Sequence, residues 1–227
     1  MSMMVWVGLG SNLGDREKNL EFARVQCRLL SHDQMIVSSI YETAAWGGVT
    51  LEPFLNQVIG FHLNQSELLS FIQRELTQVS DELSHLGNSH KERAWWSQRL
   101  ALVTHLDFEC EIHLKTSLAE HLMLALLLIE RQCGRDRSQN ALKWGSRTLD
   151  LDLLEVSGGL GLDGAYESPI LSLPHPRLHE RIFVLKPWAE IASSLYLPAH
   201  RATISQLYHS LLNKDQSESH DPSLQIV

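Results

Sequence analysis

Arg147-Thr-Leu-Asp-Leu-Asp-Leu-Leu-Glu155 is the stretch whose reading decides the fold. Side chains alternate across a β-strand, so residues i and i+2 share a face, with Cα atoms roughly 6.5–7 Å apart. Read as a strand, the stretch aims Asp150 and Asp152 at one spot. Leu149, Leu151 and Leu153 then point the other way, into a core.

The elements around this strand set the class. Met3–Gly8 is a short apolar run ending in glycine and reads as a buried strand. Ser11-Asn-Leu-Gly-Asp15 reads as a turn, with Asp15 as the N-cap of a helix to about Leu30. Gly8-Leu-Gly10 lacks the third glycine of a dinucleotide fingerprint and reads as a tight strand-to-helix turn. Met35–Tyr41 and Phe54–Leu63 read as strands on either side of a glycine-containing loop, Thr43–Thr50. Ser66–Leu86 is an amphipathic helix, Gly87–Arg99 a basic stretch holding Trp95-Trp96, Val103–Leu114 a strand and Ser117–Arg131 an apolar helix. After the polar loop Cys133–Lys143 and the strand come a glycine-rich loop, Ser157–Tyr166, and a helix near His179–Pro187. The order strand, helix, strand, strand, helix, strand lacks the strict alternation of a doubly wound sheet. It is the split βαβ order of an α+β protein, a mostly antiparallel sheet with helices on one face. Phe54–Leu69 and His105–Glu120 are weakly similar, which fits either a partial internal duplication or an inserted helix–strand unit.

Bulk properties exclude several classes. The chain has 227 residues, 44% of them hydrophobic, enough for one domain with a sizeable core. Its formal charge of −8 makes it a poor non-specific binder of nucleic acid. No apolar run approaches the roughly 20 residues that span a membrane, and Met1–Gly8 does not read as a signal peptide. Cys27, Cys110 and Cys133 are scattered without a CxxC pair, which argues for free thiols rather than disulfides or zinc. The expectation is a cytoplasmic protein.

Two carboxylates on one strand face suit a hard cation such as Mg²⁺, which takes one or two of them together with phosphate oxygens and water. Alone the pair also fits a solvated strand edge. Arg135, Arg137, Lys143 and Arg147 lie just upstream. Carboxylates beside several guanidinium groups are what phosphoryl chemistry asks for, although a self-paired charged loop has the same composition. His175, Arg177 and Arg181 form a second basic set around Pro174 and Pro176. Trp46, Phe54, Asn56 and Phe183 are candidates for holding a flat heterocycle between rings while an amide reads its edge. There is no Walker A lysine loop.

Together these residues resemble a known family. The pieces are Gly8-Leu-Gly-Ser-Asn-Leu-Gly-Asp-Arg16, Ser39-Ile-Tyr-Glu-Thr43, Phe54-Leu-Asn56, Gly134-Arg-Asp-Arg137, Trp144-Gly-Ser-Arg-Thr-Leu-Asp-Leu-Asp152, and Leu173-Pro-His-Pro-Arg177 with Glu180-Arg-Ile-Phe-Val-Leu185. In this order they resemble the 6-hydroxymethyl-7,8-dihydropterin pyrophosphokinases of folate biosynthesis. The resemblance implies a ferredoxin-like fold and transfer of pyrophosphate from ATP to the pterin hydroxymethyl group, releasing AMP. It implies that Asp150 and Asp152 hold two Mg²⁺ ions, and that Arg135 and Arg147 are loop arginines closing over the phosphates. It places Glu130, Arg137, Trp144, His175 and Arg181 at ATP. Phe54 and Phe183 would stack on the pterin, whose edge Asn56, Thr43 and the backbone near Ala44 and Trp46 would read.

The chain also departs from the pattern. Ala44-Ala45 stands where prolines are usual, Ser146 replaces the proline of the WGPR run, and Lys143 stands where arginine is common. An excess of about 50 residues (by comparison with the usual spacing) falls between Leu63 and Lys115. The expectation is therefore one domain over 1–212 with an insertion at about 64–115, and a flexible tail over 213–227. Trp95-Trp96 makes the insertion a candidate contact for a second protein or copy. Two other readings compete: a non-catalytic pterin- or nucleotide-binding relative remodelled by the insertion, and an RNA-binding module, which the acidic balance disfavours.

Overall fold

The computed structural model describes residues 3–44, 52–85, 111–135, 145–158, 165–217 and 225–226. Its centre is β1 (Met4–Ser11), buried along nearly its whole length. Ladders on both sides carry β1 through Gly8 and Gly10, so the turn expected there starts only after Ser11. Asp15 caps α1 (Arg16–Leu29) by accepting from the Lys18 N–H at 3.2 Å, as its residue type predicts.

The single strand expected at Met35–Tyr41 is two, β2 (Ile36–Val37) and β3 (Tyr41–Thr43). Ser38 breaks it. Its hydroxyl takes the Val58 N–H at 3.0 Å and its carbonyl takes the Gln57 side chain at 2.7 Å, so a side chain replaces a rung of the ladder. The chain continues through β4 (Phe54–His62), α2 (Gln65–His85), α3 (Glu111–Gln132) and β5 (Asp150–Ser157). A hairpin of β6 (Tyr166–Glu167) and β7 (Ser172–Leu173) follows, then α4 (Ile182–Ala192). A second hairpin, β8 (Tyr196–Leu197) with β9 (Ala202–Thr203), leads to α5 (Ile204–Ser217) and β10 (Gln225–Ile226). Residues 111–114, expected at the end of a strand, are the first turn of α3. Alternation over so few residues does not distinguish the end of a strand from the first turn of a helix. α5 runs through residue 213, where the sequence suggests a frayed tail, and Gln225–Ile226 pair with β3. Trp95-Trp96 lies outside the described residues.

The main sheet has the order β10-β3-β4-β1-β5, with β2 also on β4, and every pairing is antiparallel. This is an α+β architecture. One face carries Val5, Val7, Leu9, Leu55, Ile59, Leu151 and Leu153, packed against α1, α2 and α3 in the main core. Helices are not confined to that face. Trp6, Val58 and Leu154 on the other face pack against Val184, Leu185 and Trp188 of α4 in a second apolar cluster. The Trp6 and Trp188 rings lie 5.8 Å apart, and a Cβ at Gly60, which faces Trp6 across the ladder, would collide with the Trp6 ring. The α4 stripe needed apolar cover, and Trp6 supplies it. Among the described residues no helix is long and apolar enough to cross a membrane, and Cys27 and Cys133 are free thiols.

Candidate active site

The face covered by α4 is uncovered at one end, and the strand register decides what lies there. Residues directly opposite in an antiparallel pair share a face. Asn56 of β4, Gly10 of β1 and Asp150 of β5 form one row, and Val58, Gly8 and Asp152 form the next. Between Trp6 and Val7 the register shifts, so Leu154 and Glu155 together oppose Trp6. This bulge frees the Leu154 carbonyl to accept the His175 N–H at 2.8 Å, which brings the Pro174–Arg177 turn beside the aspartates. Gly8, Gly10, Thr43, Ala44, Phe54, Asn56, Arg147, Asp150, Asp152, Arg181 and Phe183 line the open cleft that results.

Each aspartate is held by arginine. Asp150 accepts from Arg135 through one oxygen and from Arg147 through the other, the latter at 2.7 Å. Asp152 accepts from Arg181, and His175 Nε2 stands 4.0 Å from its second oxygen. Burial pulls the Arg135 guanidinium down, but Asp150 and Glu130 beside it outweigh burial and hold it above its ordinary pKa. Burial lowers the His175 pKa, with Arg181 adding to the effect against Asp152, so the ring favours its neutral form. Among the described residues the Nε–H groups of Arg147 and Arg181 find no partner, and both are sealed from solvent.

Glu130 is a support rather than a wall of the cleft. It is 1% exposed, takes the Leu151 N–H at 2.7 Å and pairs with Arg135 at 2.9 Å. Arg135 also donates to the Leu149 carbonyl at 3.0 Å, so α3 fixes the start of β5 through one buried ion pair. The aromatic side of the cleft has Arg147 over the Phe54 ring at 5.1 Å and Arg181 over the Phe183 ring at 5.7 Å. Asn56, 5% exposed, donates to the Thr43 hydroxyl at 2.8 Å, so its amide is held in one orientation. Of the residues singled out in sequence, Arg135, Arg147, Asp150, Asp152, His175, Arg181, Thr43, Ala44, Phe54, Asn56 and Phe183 come together here. Arg137, Trp144 and Trp46 lie outside the described residues.

Sequence reasoning passed over Asn12 as a working residue. Its Oδ1 accepts the Arg147 N–H at 2.7 Å and its own N–H donates to the Arg147 carbonyl at 3.1 Å. The only signal was an asparagine in a glycine-bearing turn, which usually means a local turn bond.

The aspartates fit a magnesium ion by donor chemistry and by space. Both are hard oxygen donors on neighbouring rows, and the glycines opposite them leave open a floor that a Cβ at either position would fill, at 3.7 Å from the Asp150 Cβ and 3.8 Å from the Asp152 Cβ. Among the described residues there is no cluster of three or more histidine, cysteine or carboxylate side chains suited to a metal, and a two-carboxylate set suits magnesium better than zinc.

Fold and site define an α+β protein with an acid- and arginine-lined cleft walled by two phenylalanines. The family model for 7,8-dihydro-6-hydroxymethylpterin-pyrophosphokinase (HPPK) matches residues 6–101 and 73–193. The chain is 30% identical over 213 residues to 2-amino-4-hydroxy-6-hydroxymethyldihydropteridine pyrophosphokinase of Bacillus subtilis, covering 91% of this chain and 88% of the relative. It is 30% identical over 198 residues to the protein of the same name from Mycobacterium leprae, covering 85% of this chain and 74% of that one. A shorter match to the Synechocystis protein of that name is 42% identical over 97 residues, 42% of this chain and 46% of the relative. The chain belongs to the 7,8-dihydro-6-hydroxymethylpterin-pyrophosphokinase family.

Proposed function

We propose that the chain transfers pyrophosphate from ATP to the hydroxymethyl group of 6-hydroxymethyl-7,8-dihydropterin, releasing AMP, as a step of folate biosynthesis. The observation that carries this reading is the row geometry: two aspartates, each gripped by arginine, on the glycine floor of a cleft walled by Phe54 and Phe183. The hydroxymethyl oxygen attacks the β-phosphorus in line, the bond from that phosphorus to the bridging oxygen breaks, AMP leaves with that oxygen on its α-phosphate, and the hydroxyl proton passes to solvent. Little covalent work falls to the protein in such a step, so positioning and charge stabilisation dominate.

Asp150 and Asp152 would hold Mg²⁺, which when bound neutralises phosphate charge. Arg147 and Arg181 line the cleft and can turn terminal guanidinium N–H groups toward phosphate oxygens, and Arg135 is held at Asp150 with Glu130 behind it. Neutral His175 can offer a hydrogen bond to ATP without adding charge. Phe54 and Phe183 offer ring faces to the pterin, and the fixed Asn56 amide, with Thr43 and Ala44, faces its edge. We read the sheet order as the ferredoxin-like arrangement of one domain, with α2 inside an insertion at about 64–115. Use of ATP and free thiols support a cytoplasmic setting.

The test is product analysis. AMP should form from ATP only when both hydroxymethyldihydropterin and Mg²⁺ are present. ADP as the product, or turnover indifferent to the pterin, would contradict the proposal.

A further inference from the structure

We infer that Asn12 is a positioning residue for Arg147, and that the Ser146 hydroxyl helps to fasten the chain entering Arg147. The inference rests on the function proposed above only for its kinetic part.

Asn12 is 3% exposed and joins three segments of chain. Its Oδ1 and N–H pair with the Arg147 N–H and carbonyl at 2.7 and 3.1 Å, a two-way bond between residues far apart in sequence. Its Nδ2 donates to the Glu52 carbonyl at 3.3 Å and to Ser146 Oγ at 3.4 Å. Next to it, Ser11 Oγ donates to the Thr148 carbonyl at 2.6 Å. The backbone on both sides of Arg147 is thus tied to the β1–α1 turn, while its guanidinium reaches Asp150 and covers Phe54. Arg147 can meet both groups only if its backbone stays put.

A proline at 146 would limit the loop by fixing its own φ. Serine leaves φ free but adds an acceptor, and Asn12 takes it. Because that bond is long and Ser146 is exposed, it should contribute less than the Arg147 bonds. The two devices do the same task by different means, so they should substitute for one another.

The experiment measures amide exchange at Arg147 in the substrate-free protein, and kcat and KM for AMP release, in wild type, N12A, N12D, S146A and S146P. In N12A the Arg147 amide should exchange at least about tenfold faster, and kcat should fall about a hundredfold with KM for ATP nearly constant. N12D keeps the oxygen acceptor and should keep Arg147 protected, which covers the case of N12A failing to fold. S146A should lose a few-fold in kcat (roughly one weak hydrogen bond), and S146P should restore it. Unchanged Arg147 exchange in N12A, loss of protection in a folded N12D, or S146P no better than S146A would overturn the inference. Exchange needs no substrate, so it decides the fastening even if wild type makes no AMP, a result that would sink the proposed function instead.

Discussion

Asp152 and Glu155 stand on the same strand and the same sheet face, at its open and its covered end. Asp152 is 29% exposed in its side chain, opposite Gly8, and is held by Arg181 beside His175. Glu155 is 4% exposed, opposite Trp6, and one of its oxygens is buried with no hydrogen-bond partner among the described residues. Burial pushes the Glu155 carboxyl up to about 8, while the backbone N–H of Val156 acts weakly the other way. On this face the carboxylate opposite a glycine lies open to the cleft and is paired with arginine. Under α4, where a tryptophan replaces the glycine, the same kind of group is driven toward its neutral form.

The difference can be broken in order of size. D152A should cost about a thousandfold in kcat while circular dichroism and the melting temperature stay close to wild type, because the charge it removes serves the reaction. L151A, on the opposite face, should do the reverse. It empties a buried site in the main core and should cost about 3 kcal/mol by urea unfolding, with specific activity per folded molecule preserved. E155Q separates the two ends by pH. The raised pKa of Glu155 means that the folded state binds its proton more tightly than the unfolded one. Its share of stability is therefore complete below the ordinary value of 4.5 and is lost as pH rises through about 8. E155Q should flatten that decline and exceed wild type by about 2 kcal/mol above pH 8, a value reduced from the full linkage. The smallest change is G10A. Its methyl fits at ordinary contact distance, 3.5 Å from Asn56 Oδ1, so the fold should persist while the raised floor increases KM for the pterin several-fold. Equal loss of stability and turnover in all four variants would erase the distinction between the two ends.

Much of this was legible in sequence for a simple reason. Period-two alternation in Leu149–Leu153 maps directly onto two faces, and Asp15 caps α1 by chemistry confined to its own turn. What could not be read depends on partners far along the chain. Gly8 and Gly10 signal a turn locally, yet strands on both sides hold them in β1. The apolar stripe of α4 shows that it packs, but not against which face of the sheet. Glu130 is buried and holds both Arg135 and the Leu151 N–H, contacts that depend on where α3 meets β5 and that no local motif announces. Asn12 acquires its task only when Arg147 is brought beside it.

The most direct test of the central claim is to follow ATP labelled in its β-phosphate, with hydroxymethyldihydropterin and Mg²⁺, in wild type and in folded D152A. The account predicts that the label moves to a pterin diphosphate in step with AMP in wild type, and that this transfer is lost in D152A. Label retained on ADP, or equal transfer by D152A, would contradict it.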